Sequence, residues 1–212
     1  VVTTQNAVNK MELLEELSRS YLYKDILELA TIKHSGKIRD LLKLIAFQIG
    51  SEVSLTELGN SLDLSHDAVE RYIDLLEKSF VIFRLGGFSR NLRKEVSKMD
   101  KIYFYDLGIR NTIIDNFKPL KDRNDVGQLW ENFLIIERLK KCAYTHIYAN
   151  HYFWRTHTGS EIDYVEEREG RLFGYELKYG KRKIRKPQTW LQQYQNSEFT
   201  IVNQDNYLDF IS

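Results

Sequence analysis

The spacing of apolar residues changes character once along this chain, and that change constrains the fold more than any other feature. To about residue 82, apolar positions recur three and four apart, as on the buried stripe of an amphipathic helix. From about residue 100 they alternate or form short blocks, as in strands, with two helices interspersed. A helical part followed by a strand-rich part predicts an α/β (α+β) class. The expected division is a helical module over 1–100 and a mixed domain over 101–212. Leu85-Gly86-Gly87 and the basic stretch from Arg90 to Lys101 punctuate the chain between them.

In the first part, a helix is expected from about Lys10 to Leu29, with Leu13, Leu14, Leu17, Tyr21 and Leu22 at helical spacing. A second starts near Gly36, carries Ile38, Leu41, Leu42, Ile45 and Ile49 on one face, and stops at Gly50. Ser54 with Glu57 three residues on reads as a capping box for a short third helix bearing Leu55, Leu58 and Leu62. Ser65 caps a fourth, with Val69, Tyr72, Ile73 and Leu76 inward, and Phe80 to Leu85 reads as a strand. This order, closed by a strand from Lys101 to Tyr105, is a winged helix-turn-helix pattern. The outward face of the fourth helix holds His66, Asp67, Glu70, Arg71, Asp74, Glu77 and Lys78. Four acids against two bases would meet phosphate charge unfavourably, so a scaffold or docking role is favoured over DNA reading by this helix. Arg90, Arg93, Lys94 and Lys98 in the wing loop suit phosphate better, though Glu95 and Asp100 dilute them and a solvated face is the favoured reading.

In the second part, Asp106 reads as the cap of a short helix rather than as a catalytic group. A helix over about Val126 to Cys142 is apolar over a broad arc, as a mostly buried helix is. Glu131 lies inside that arc and needs a partner, a metal or water there. Strands are expected at His146–Ala149, Tyr152–Thr156, Ile162–Val165 and Leu172–Lys178, with a hairpin turn in Glu166–Gly170. A helix from Pro187 to Gln195 and a strand from Phe199 to Val202 follow. Alternation puts Glu161 with Asp163 and Glu176 with Lys178, and the hairpin brings Asp163 within one register step of Glu176.

Grouped carboxylates repel one another and persist best around a divalent cation. Bound to phosphate, such a cation polarises the phosphorus and lowers the pKa of an attacking water, while a lysine offsets developing charge. Asp163, Glu176 and Lys178, with Glu131 on the preceding helix, supply the groups that phosphodiester hydrolysis needs. Magnesium or manganese would be held by Glu131, Asp163 and Glu176. Just beyond, Lys178, Lys181, Arg182, Lys183, Arg185 and Lys186 give six bases in nine residues, a solvated loop or a contact to the DNA backbone. Arg155 offers phosphate contact or an ion pair with Glu161 or Glu131. Trp190 and Tyr194 read as core, and His146 and His151 as structural.

Composition bounds these readings. The 212 residues suit one large or two small domains, and 42% hydrophobic residues can fill a core. A net charge of +1 gives no global pull on nucleic acid, so only local patches could bind it. The one cysteine, Cys142, excludes an internal disulfide and a multi-cysteine zinc site and fits a reducing, cytoplasmic setting. No apolar stretch is long enough to cross a membrane. A chain starting at Val1 reads as a fragment or a processed product.

With Glu131, Asp163 and Glu176-x-Lys178 set in a helix, three strands, helix, strand order, the second part resembles the PD-(D/E)XK, or restriction-endonuclease-like, nuclease superfamily. Ile162 stands where the superfamily name has proline. More narrowly, the chain resembles a C-terminal domain of unknown function that follows an AAA-type ATPase domain in bacteria and archaea. The matching stretches include Tyr23-Lys-Asp-Ile26, Leu64-Ser-x(3)-Val69-x(2)-Tyr72, Lys101-x-Tyr-Phe-x-Asp-x-Gly108 and Gly127-x(2)-Trp-Glu-Asn132. Phe153-Trp-Arg-Thr156, Gly159-x-Glu-Ile-Asp163 and Tyr175-Glu-Leu-Lys178 continue them. The resemblance implies an ATP-binding P-loop domain N-terminal to this chain and a metal-dependent nuclease core within it. It also allows a nuclease-like scaffold that binds DNA or protein without cleaving. The chain itself carries no G-x(4)-G-K-[ST], so ATP would bind only through that N-terminal domain.

Overall fold

A computed structural model describes residues 7–18, 20, 35–90, 99–180 and 187–212. The chain forms two compact units and passes between them three times. One comprises residues 1–84 and 102–123, the other residues 85–101 and 124–212. Strands β2 (Ile82–Gly87) and β3 (Asp100–Phe104) carry the chain across. The described elements make a mixed α/β fold with seven strands.

The first unit is built from helices α1 (Ala7–Ser18), α2 (Ser35–Phe47), α3 (Leu55–Leu62), α4 (His66–Lys78) and α5 (Leu107–Ile113), with the short strand β1 (Glu52–Val53). The remainder of the first expected helix, beyond Ser18, falls almost wholly outside the described residues. The stripe Ile38, Leu41, Leu42 and Ile45 is fully buried with Val69, Ile73 and Leu76, as their spacing requires. The three N-caps form, although of the capping box only the Ser54 half is present among the described residues. Ser54 Oγ accepts from Glu57 N at 3.3 Å, Ser65 Oγ from Ala68 N at 3.2 Å and Asp106 Oδ1 from Ile109 N at 3.0 Å. Asp63, in the left-handed region at φ 53°, turns α3 into α4. The strand expected from Phe80 begins two residues later. Phe80 itself has φ 55° and closes the end of α4 instead.

The acidic face of α4 has an unforeseen partner. Arg84 reaches Glu70 at 2.7 Å, Asp74 at 2.6 Å and Glu77 at 2.6 Å. Three of the four acids that argue against phosphate contact are thus gathered by one guanidinium from β2. The wing-loop residues Arg93, Lys94 and Lys98 lie outside the described residues.

In the second unit, helix α6 (Val126–Tyr144) is followed by β4 (Asn150–Arg155), β5 (Glu161–Arg168), β6 (Arg171–Leu177), α7 (Gln188–Gln193), β7 (Ser197–Val202) and α8 (Tyr207–Ile211). The end of β2 pairs parallel with β4. The β4/β5 and β5/β6 pairs are antiparallel, and β6/β7 is parallel. The expected order of helix, three strands, helix and strand is present, with one correction. His146–Ala149 is not a strand. His146 has φ 56°, and Ile147 N donates to Cys142 O at 2.9 Å, so these residues turn the chain off α6. Trp154, Ile162, Val165 and Trp190 form the sealed centre of a core with Phe88, Leu172 and Tyr194. Trp190 and Tyr194 are therefore core residues, as their spacing suggested. Among the described residues no helix is long and apolar enough to cross a membrane.

Candidate functional site

The site begins with a two-residue turn. Glu169 and Gly170 both have positive φ, 50° and 72°, the backbone that closes a tight hairpin with the right-handed twist of its strands. The turn pairs Arg168 with Arg171 and fixes the ladder to Tyr164 opposite Tyr175. One step further lie Asp163 and Glu176. Gly174 packs closely against β5, where a β-carbon would stand 3.1 Å from Ile162 Cδ1 and the isoleucine would have to shift slightly. On the other side of β5, the ladder to β4 shifts register between Tyr152 and Trp154. Simple alternation therefore does not carry across the sheet.

Asp163 is 5% exposed. Its Oδ2 accepts from Leu177 N at 2.8 Å and from Lys178 Nζ at 3.0 Å. Lys178 Nζ also lies 2.9 Å from Glu176 Oε1, and Lys178 N donates to Val202 O at 2.9 Å, which ties its backbone to β7. The structure thus brings Asp163, Glu176 and Lys178 together, as the hairpin argument expected. Burial raises the pKa of Glu176, and the negative charges of Asp163 and Glu161 raise it further. Lys178 opposes them without cancelling them. Burial works against the charge of Lys178, but Asp163 and Glu176 outweigh it and hold its pKa above the ordinary lysine value.

Glu131 meets a different cation in the same unit. Lys101, at the start of β3, lies 3.6 Å from Glu131 Oε1 and donates to Glu161 Oε1 at 2.6 Å. Sequence reasoning did not single out Lys101 as a site residue. A lysine beside Ile102-Tyr103-Phe104 reads as the solvated start of a strand, and nothing local marks it as 4% exposed. A carboxylate inside an apolar helical arc is the one local signal that a partner, a metal or water has to meet it.

Arg155 lies directly across the β4/β5 ladder from Glu161. Lys181, Arg182, Lys183, Arg185 and Lys186 lie outside the described residues. Among the described residues no group of three or more His, Cys, Asp or Glu side chains is arranged to hold a metal ion. The three-carboxylate set of Glu131, Asp163 and Glu176 is therefore not gathered as one ligand group. What the described residues offer is the pair Asp163 and Glu176. That pair suits magnesium, which binds through one or two carboxylates and keeps several waters. The lysine contacts use Asp163 Oδ2 and Glu176 Oε1.

A second polar cluster lies deeper in the same unit. Glu166, fully buried, accepts from Arg138 Nε at 2.6 Å and from Arg138 Nη2 at 3.0 Å, while Arg138 Nη1 donates to Phe210 O at 2.9 Å. Cys142 Sγ lies 3.8 Å from Glu166, and burial with that carboxylate pushes the thiol pKa up, the opposite of what a nucleophile needs. His151 Nδ1 and the Tyr164 hydroxyl share a bond of 2.6 Å. Burial lowers the His151 pKa and favours the neutral ring. His151 is thus structural, as expected, and Cys142 is unsuited to act as a nucleophile.

Two family models match the chain. A domain of unknown function, DUF8612, covers residues 1–120, and another, DUF4143, covers residues 126–208. The uncharacterized proteins Rv2008c of Mycobacterium tuberculosis and Mb2031c of Mycobacterium bovis are each 28% identical to it over 161 residues, 75% of this chain and 36% of theirs. An uncharacterized protein of Methanocaldococcus jannaschii, MJ1544, is 23% identical over 60% of this chain and 28% of its own length. The chain thus spans about a third of the length of the curated relatives it matches. No solved structure matches it. With its first 120 residues matched, more than half its length, the chain belongs to the DUF8612 family.

Proposed function

We propose that the β5–β6 hairpin carries a metal-dependent site for phosphodiester hydrolysis, acting on DNA, in the C-terminal part of an AAA-type ATPase. One observation supports this most. A single ammonium, Lys178, stands 3.0 Å from Asp163 and 2.9 Å from Glu176, in a place where burial and carboxylate crowding raise the Glu176 pKa. Crowded carboxylates beside a half-exposed amine suit a site that takes up a cation and meets solvent. The restriction-endonuclease-like element order and the winged-helix-like order of the first unit agree with this reading. ATP would act through a domain outside this chain.

Asp163 and Glu176 would hold magnesium or manganese. Bound there, the cation would supply Lewis acidity at the scissile phosphorus and lower the pKa of an attacking water. Lys178 keeps its proton at neutral pH and stands ready to orient that water and offset charge on the phosphate oxygens. The water oxygen bonds to phosphorus as the ester P–O bond breaks, and the water proton goes to the leaving oxygen. Asp163, pinned by Leu177 N, keeps the carboxylates in place. Glu131 supports the site through Lys101. Arg155 and the basic run Lys181, Arg182, Lys183, Arg185 and Lys186 would track the DNA backbone.

Cleavage of plasmid and single-stranded DNA with manganese, compared between the wild type and Asp163→Ala, tests the proposal. Cleavage that Asp163→Ala removes supports it, and cleavage unchanged by that substitution ends it. A second reading draws on the lysines. Each of Glu131, Glu161, Asp163 and Glu176 already meets an ammonium, as in a scaffold that needs no metal. On that reading the chain is a non-catalytic module for DNA or protein partners. Its carboxylates would then bind no manganese, and neutralising them would leave partner binding intact.

A further inference from the structure

Four rings gather beside the hairpin site, and the roles given to Asp163, Glu176 and Lys178 make no use of them. Trp130 of α6 stands 5.2 Å from Tyr207 of α8, edge to face at 64°, and 6.0 Å from Phe133 on its own helix. Its Nε1 is enclosed and meets no acceptor among the described residues, so the indole is held by ring packing. Tyr179 adds the fourth ring, 5.7 Å from Trp130 and at 70° to it. Elsewhere in this unit clustered rings are sealed, as Trp154, Trp190 and Tyr164 are. Packing of α8 on α6 accounts for Trp130, Phe133 and Tyr207. It does not account for Tyr179, which meets Trp130 alone of these rings and is 42% exposed. Gly180 follows at φ 97°, and no described atom stands within 4 Å of where its β-carbon would be.

The chain sets these rings and the charged groups side by side at two points. Trp130 and Glu131 are consecutive on α6, and Glu131 shares Lys101 with Glu161. Lys178 and Tyr179 are consecutive just past the end of β6. Consecutive Cα atoms lie about 3.8 Å apart, less than one nucleotide spans from phosphate to base. We propose that Tyr179, braced by Trp130, is a stacking platform for an unpaired base of single-stranded DNA whose phosphate is held at Asp163, Glu176 and Lys178. The proposal rests on the reading of those three residues as the phosphodiester site, and it names the kind of strand that site takes. Inside a duplex each base is covered on both faces by its neighbours, so a protein ring reaches a base face only where the strand is unpaired. Every base has such a face, so the platform tolerates any sequence. Tyrosine suits the task, because a stiff ring with few rotamers loses little freedom on binding. A net charge of +1 draws nucleic acid only weakly from a distance, so a contact that salt does not screen carries more of the affinity.

Fluorescence anisotropy with three labelled probes, in calcium, tests this. The probes are a single-stranded oligonucleotide, the same sugar-phosphate strand with every base removed, and the blunt duplex. Tyr179→Ala should weaken binding of the first by about fivefold to a hundredfold, the range for one stacked base, and of the other two by less than about twofold. Tyr179→Phe keeps the ring and should stay within about twofold of the wild type for all three. The slope of log affinity against log salt should match in the wild type and Tyr179→Ala, since the ring neutralises no phosphate. An unchanged affinity of Tyr179→Ala for the single strand, an equal loss with the base-free strand, or a changed salt slope would each overturn the platform. Should Tyr179→Ala not fold, the wild type decides: preference for the strand with bases supports the platform, and equal affinity for the two strands overturns it. Manganese-dependent cleavage of the same single strand by the wild type and Asp163→Ala tests the hydrolysis reading separately. Binding as expected, with cleavage that Asp163→Ala leaves unchanged, keeps the platform and ends hydrolysis at Asp163. A failed platform, with cleavage that Asp163→Ala removes, ends the platform alone. No binding of any probe by the wild type would overturn both.

Discussion

The second unit contains two clusters of opposite charge built on neighbouring strands, and they are made differently. At Glu166 a guanidinium clamps one carboxylate through two bonds, in a place that solvent does not reach. At Asp163 and Glu176 an ammonium bridges two carboxylates from a side chain 36% exposed. A planar fork with fixed geometry suits a permanent structural bond. A flexible amine among too many carboxylates suits a place where charge must rearrange. The difference separates a cluster suited to holding the fold from the one we propose for the chemistry.

The largest effect should come from breaking the sealed cluster. Arg138→Met leaves the Glu166 carboxylate buried without its main partner and should cost about 3–5 kcal/mol of stability, read from the denaturant midpoint. Removing the carboxylate as well, in Arg138→Met with Glu166→Leu, should recover much of that loss. A small loss in the single variant would mean that Glu166 is not sealed, and the contrast between the clusters would fail.

The open cluster should behave in the opposite way. Asp163→Asn keeps the shape and can still accept from Leu177 N, so its stability should stay within about 1 kcal/mol of the wild type, because one partly satisfied bond is exchanged for another. DNA cleavage with manganese should fall by a factor of about 100 or more, the scale expected when a group acting on transition-state charge is lost. A protein several kcal/mol less stable after this change, yet cleaving as fast as the wild type under conditions where it is folded, would swap the roles of the two clusters.

Arg84 is intermediate and sharpens the comparison. It holds three carboxylates, but these are 30% to 41% exposed, so water and salt screen them. Arg84→Met should shift the denaturation midpoint by only a small part of the Arg138→Met shift. That difference should shrink further as sodium chloride is raised. A shift as large as that of Arg138→Met would show that multiplicity of partners, not burial, decides the strength of these clusters.

How much of this was legible in the sequence depended on how far apart the partners lie. The caps at Ser54, Ser65 and Asp106 involve residues three apart, and each side chain accepts the expected backbone N–H. The stripe of α2 and the hairpin that joins Asp163 to Glu176 are also local patterns. Lys101 is different. It meets Glu131 across 30 residues and Glu161 across 60, and no local spacing encodes either meeting. Arg84 likewise reaches back 14 residues to Glu70. The strand expected at His146–Ala149 failed for a local reason, since His146 takes a left-handed turn that its side chain does not announce. The region after Tyr179 that would supply DNA contacts, Lys181 to Lys186, lies outside the described residues.

The smallest effect tests the crowding itself. Glu176 has its pKa raised from 4.5 by burial first and by Asp163 and Glu161 next. A carboxyl whose pKa is higher in the fold than in the unfolded chain binds more protons when folded. The stability it contributes is therefore present at low pH and is lost as pH rises from the unfolded value through the folded one. Glu176→Gln removes this titration. The stability of the wild type relative to Glu176→Gln should fall as pH rises from about 4 through the carboxylate range, then level off above the raised pKa. Manganese should reverse the trend for the wild type alone, because a bound cation favours the ionised carboxyl. Thermal melts of both proteins across that pH range, with and without manganese, measure the effect. Parallel curves for the two proteins would mean that Lys178 fully satisfies Glu176. The open cluster would then be as settled as the sealed one, with no call for a cation.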